Sequence, residues 1–193
     1  LGMALEAYHQ AFLKATQAYR PAIRNNISYV HMLLGNHDEA IREAQLSVQE
    51  NDEYPNNHQT LVCSFLSASY WSEAISHCRS WLNGPAVESL STRIWLGGFL
   101  CLARLAKSES FEETRDEIEA FCHDFQAFPE FRSGWLWAPA KAAILAAVKS
   151  EDGRENIAVD IIAVLDGEMN LADFQRKWKV EGKKELNLFS PDL

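Results

Sequence analysis

Apolar residues recur along this chain with the period of helices. Ile41, Ala44 and Val48 fall at i, i+3 and i+7, as do Ile75, Cys78 and Leu82, which puts each set on one face of an α-helix. Upstream of these stripes run two proline-free stretches, Asn26 to Gly35 and Thr60 to Ser69. The first closes on a glycine of the kind that ends helices. A helix, a tight turn and a second helix are therefore expected twice. The two copies share a register, because Glu39-Ala40-Ile41 recurs as Glu73-Ala74-Ile75, 34 residues on. A unit of that length buries its apolar face only by stacking on neighbours. Pro55 and Pro85 punctuate the joins.

The remaining segments predict more hairpins. Ala4 to Ala18 carries Leu5, Tyr8 and Phe12 in helical register and reads as the second helix of a unit whose first helix is missing. Leu90, Ile94, Cys101 and Leu105 mark one face of a later helix, and Trp95, Phe99 and Leu102 fill another, so this helix is expected at the centre. Its Gly97 and Gly98 cost about 1 kcal/mol each against alanine and fit where another helix comes close. Next come Phe111, Thr114, Ile118, Phe121 and Phe125 on one side, with Glu112, Glu113, Asp116, Glu117 and Glu119 on the other; the acid-rich stretch Glu109 to Asp124 is expected as a solvated face, with a binding surface for a basic partner as the alternative. Trp135 to Lys149 and Arg154 to Leu165 predict a fourth hairpin, in which Gly153 precedes Ala158 by the five residues that separate Gly35 from Ala40. Asn170 is placed to cap a short helix bearing Leu171, Phe174 and Trp178. The pattern thus predicts an all-α chain of about nine helices and no strand. Turns are expected near Gly35, Ser69, Ser108 to Ser110 and Asp152-Gly153. A repeat domain spans 3–166, and a capping helix and tail span 167–193.

The turn Gly35-Asn36-His37-Asp38-Glu39-Ala40-Ile41, the 34-residue period, and the small Ala40, Ala74 and Ser28 resemble the tetratricopeptide repeat (TPR) family. Arg24, His58 and Val62 depart from its pattern. The resemblance implies an α-solenoid of stacked antiparallel hairpins, a TPR-like right-handed superhelix, whose concave surface binds peptides or proteins. It maps the lining to Asn25, Asn26, Tyr29, Met32 and Leu33, and to Gln59, Thr60, Cys63, Leu66 and Ser67. The Lys and Arg residues with which some members clamp a C-terminal carboxylate are absent there. The expected role is a non-enzymatic protein–protein interaction module or scaffold subunit, with a dedicated chaperone or regulatory module as the alternative.

Composition narrows this picture. With 47% hydrophobic residues and a net charge of -9, the chain has the apolar content of a folded protein, and its acidity argues against nucleic acid as a partner. Cys63, Cys78, Cys101 and Cys122 are spaced by 15, 23 and 21 residues, so no CxxC pair forms and reduced core thiols in a cytoplasmic setting are expected. Leu1-Gly2 resembles the remnant of a cleaved tag, with Met3 as the start. The apolar run Ile94 to Ala103 is ten residues long and ends at Arg104, too short to cross a membrane. Six dispersed histidines and the absence of HExxH, GxSxG and Walker A patterns leave no catalytic set, metal site or cofactor expected. His37-Asp38-Glu39 falls on a turn where polar residues are needed anyway. One of Trp135 and Trp137 is a candidate exposed anchor. The basic run Lys179 to Lys184 is expected to stay solvated beside the cap, with an anionic docking patch as its alternative. Oligomeric state is left open.

Overall fold

A computed structural model describes residues 1–84, 89–131, 137–149 and 153–182. Every regular element among them is helical: α1 (Gly2–Lys14), a 3-10 turn (Gln17–Tyr19), α2 (Arg20–Leu34), α3 (His37–Glu50), α4 (Pro55–Ser67), α5 (Trp71–Leu82), α6 (Leu90–Ala106), α7 (Phe111–Gln126), α8 (Ala138–Ala147), α9 (Arg154–Asp166) and α10 (Leu171–Trp178). The chain divides into two compact units. One is Leu1–Tyr70 with Trp137–Ala143, and the other is Trp71–Leu136 with Ile144–Leu193. None of the helices among the described residues is long and apolar enough to cross a membrane.

In the first unit, α2 and α3 form a hairpin. The chain reverses at Gly35, whose φ of 77° belongs to the left-handed region. There the Gly35 N–H donates to the Met32 carbonyl at 3.1 Å and the Asn36 N–H to that of His31 at 3.0 Å. This double bond pattern satisfies carbonyls that a helix end otherwise leaves free. Asp38 and Glu39 then sit in the first turn of α3, where the helix dipole favours negative charge, so His37-Asp38-Glu39 has a local structural use. Ala40 and Ala44 are fully buried, and the Ser28 hydroxyl donates to the Ala40 carbonyl at 2.7 Å, a contact only small side chains permit. Helix α4 packs on both α2 and α3, with Ser28 Oγ and Ser64 Oγ 3.3 Å apart. Pro55 is the first residue of α4, where its missing N–H costs nothing. The α4 end repeats the turn with a serine: Ser69 has φ 62°, and the Tyr70 N–H reaches the Phe65 carbonyl at 2.9 Å.

In the second unit, α6 is central, packed on α5, α7 and α9. Gly98 meets α9 so closely that a Cβ there would lie 2.9 Å from Leu165 Cδ1, whereas one at Gly97 would rest 3.8 Å from Phe121 Cβ. Phe99, Trp95, Phe131 and Phe125 form an aromatic core, in which the ring centroids of successive pairs lie 4.8, 5.9 and 5.7 Å apart. Helix α7 opens on a capping box, in which the Ser110 N–H donates to Glu113 Oε2 at 2.7 Å and the Glu113 N–H to Ser110 Oγ at 3.3 Å. The expected solvated acidic face of α7 is corrected at three positions, since Glu117, Glu119 and Asp124, the last paired with Arg93 at 3.0 Å, are all buried. The reason at Glu117 is that cations from two other helices reach it: Arg79 at 3.1 Å and Arg104. Ala158 is fully buried five residues beyond Gly153.

Helix α10 packs on α7 and α9. Asn170 caps it by accepting the Asp173 N–H at 2.9 Å. Phe174 is fully buried, and the buried Asp160 carboxylate of α9 accepts the Trp178 indole N–H at 2.7 Å and faces Lys177 Nζ at 2.7 Å. In α8, Pro139 stands in the first turn, and Trp137, Ala140, Ile144 and Val148 are buried at helical spacing. Trp137 is therefore core and not an exposed anchor; Trp135 lies outside the described residues, as do Pro85, Asp152, Lys183 and Lys184.

Candidate partner-binding face

The ten positions expected to line a groove come from α2 and α4, both in the first unit, and the Ser28 and Ser64 hydroxyls mark where these helices touch. The structure separates the ten into two sets. Asn25, Met32, Gln59, Thr60, Cys63 and Leu66 are buried, as is Ser67, so the expectation of an open lining is modified there. Asn26 is exposed, and Tyr29 and Leu33 are half-buried.

The cause lies in α4, which is buried without a break from Asn57 to Ser67. Its polar side chains spend their hydrogen bonds locally. Asn57 Nδ2 donates to the Ser47 and Asn51 carbonyls at 3.2 and 2.9 Å, His58 Nε2 to the Asp52 carbonyl at 2.6 Å, Ser64 Oγ to Thr60 and Ser67 Oγ to Ser64, both at 2.9 Å. These bonds offset much of the cost of burying a polar helix, although Asn57 Oδ1 and Thr60 Oγ1 find no partner among the described residues.

What stays accessible is a strip on α2. Ala22, Asn26, Tyr29 and Leu33 follow one another at i, i+4, i+7 and i+11, and none is buried, while Ile27, Val30 and His31 on other faces are. The strip offers a methyl, an amide, a phenol and an aliphatic side chain, with no charge. Tyr29 stands near Cys63, and burial first, then that neighbour, raises its pKa. Burial likewise pushes the Cys63 thiol up, and Cys122 up to about 12, so these thiols are weak nucleophiles. The four cysteines are free and buried.

Two buried histidines give the first unit a pH response. Burial lowers the pKa of both His31, whose Nδ1 accepts from Asn36 Nδ2 at 3.3 Å, and His58. Both are neutral in the folded chain, whereas unfolded histidine protonates at about pH 6.5. The unfolded state then binds more protons as pH falls below that value, and stability drops with it. Thermal melts should lose stability as pH falls below about 6.5. His58→Gln, which keeps a donor for the Asp52 carbonyl, should flatten that slope; equal slopes would exclude His58 as a cause.

The second unit has an open cleft of about 370 Å³ beside α10, walled by Phe125, Pro129, Met169, Leu171, Gln126 and Gln175. Among the described residues no group of three or more His, Cys, Asp or Glu side chains is arranged to hold a metal ion. No protein-family model, curated protein or solved structure matches the chain.

Proposed function

We propose that the chain is an array of stacked helical hairpins of the tetratricopeptide kind, working as a non-enzymatic protein-interaction module that holds a partner segment against α2. The observation that carries this reading is the uncharged strip Ala22, Asn26, Tyr29 and Leu33, left accessible on a helix that buries Asn25, Ile27, Ser28, Val30, His31 and Met32. An aromatic and an aliphatic side chain flanking an amide suit an extended, partly apolar peptide: the rings supply contact area and Asn26 a donor and acceptor for peptide backbone. The buried Ala40 and the tight turn at Gly35 support the hairpin part of the reading. They hold α2 rigidly, so a partner meets a preorganised surface.

The test is a triple variant, Asn26→Lys with Tyr29→Ala and Leu33→Ala. Its circular dichroism and melting should stay near those of the parent, because none of the three is buried. Affinity for the partner isolated with the parent chain should fall about 100-fold or more. Because the strip is uncharged, the parent's affinity should depend only weakly on salt. An unchanged affinity in a folded triple variant would overturn the reading.

A further inference from the structure

Helix α1 is held differently from every other helix of the first unit. None of its 13 residues is buried, and Met3 and Leu13 are 89% and 74% exposed. Among the described residues, no side-chain hydrogen bond or ion pair joins α1 to the rest of the chain; the one such bond it makes, Gln10 to Glu6, is internal. Its N-terminus has no side-chain cap and no acidic residue in the first turn. A helix of this length is marginal by itself in water, so α1 exists because it is docked.

The docking site is built by α2 and α3. The Arg24 guanidinium is fixed by Glu43 and Glu50 of α3, each at 2.8 Å. Its flat face lies 4.4 Å from the centre of the Phe12 ring, and that of Arg20 lies at 5.3 Å. The half-buried Leu5, Tyr8 and Phe12 complete the contact. This receiving face is preorganised whether or not α1 is present, since the Arg24 ion pairs are made without it. It is also about half a turn around α2 from the Ala22–Leu33 strip. After α1, Ala15 and Thr16 are extended, with ψ of 144° and 160°, and separate α1 from the 3-10 turn that leads into α2.

We propose that α1 is a displaceable strap, docked on a helix-receiving face of α2 that takes α1 of a second copy in the same way, so that two chains exchange first helices at high concentration. The occupant is fixed by the page itself: the residues that fit the Arg20–Arg24 clamp are those of α1, and an exchanged helix remakes every cis contact. The cost of opening is low because no buried residue and no side-chain hydrogen bond is lost.

Two measurements on the full chain test this. In native hydrogen exchange, amides of α1 should exchange about 100-fold faster than those of α2, as a separately opening segment does. A fluorescent peptide of residues 3–16 should bind the full chain saturably, and its Phe12→Ala form should bind about tenfold more weakly or worse. Equal protection of α1 and α2 would overturn the strap. A peptide that fails to bind, or binds without regard to Phe12, would overturn the exchange.

Discussion

Ala40→Leu is expected to lower the stability of the first unit by about 1–3 kcal/mol, read as a fall in the urea midpoint at constant slope. Ala40 is fully buried, and its carbonyl accepts the Ser28 hydroxyl at 2.7 Å, so α2 and α3 meet there almost backbone to backbone. Three added carbons have no room unless the helices separate. Separation would also lengthen the Ser28 bond and disturb the adjacent Ser28–Ser64 contact to α4. Ala40→Ser, nearly isosteric, should cost far less. If leucine left the midpoint unchanged, the close crossing at Ala40 would be wrong, and with it the reason for a small residue at that point of the 34-residue register.

Phe174→Ala should cost the second unit about 3–5 kcal/mol, the range for emptying a fully buried aromatic site. Phe174 has no exposed surface and belongs to a helix of eight residues that packs on α7 and α9. The two readings of this region, a cap or an anionic docking patch, differ in what its cations do. Lys177 lies 2.7 Å from the buried Asp160 carboxylate, and Arg176 lies 2.9 Å from Asp173 in its own helix. Both are therefore engaged within the chain, which favours the cap. Deleting residues from Leu171 onward should accordingly lower the melting temperature and expose apolar surface. An unchanged melting temperature would leave docking as the account of this helix.

The hairpins were legible where a small or special residue reports geometry. Gly35 and Ala40 announce a left-handed turn and a close crossing, and Asn170 announces a cap. Ser69 and Ser108, with φ of 62° and 80°, make turns where the hairpin register predicts them, though without the glycine that signals a left-handed turn. The Ser110 and Glu113 pair could have been read from its S-x-x-E spacing. Glu117 could not, because its burial depends on Arg79 and Arg104, remote in sequence and brought together only by the packing of α5, α6 and α7. The candidate face was legible in part for a similar reason. The resemblance put Asn26, Tyr29 and Leu33 in the lining together with Asn25 and Met32, which the fold buries. It could not show that α4 is buried on every side, since Ser64 and Ser67 look like solvent-facing residues until their local hydrogen bonds are seen.

The central claim is that this chain works by holding a partner against α2. It is tested most directly by hydrogen exchange of the full chain, with and without a saturating amount of the partner isolated with it. Residues 22–34 should gain protection beyond that of any other segment, and the gain should vanish in the Asn26, Tyr29, Leu33 triple variant. Protection that appears elsewhere and leaves 22–34 unchanged would contradict the account.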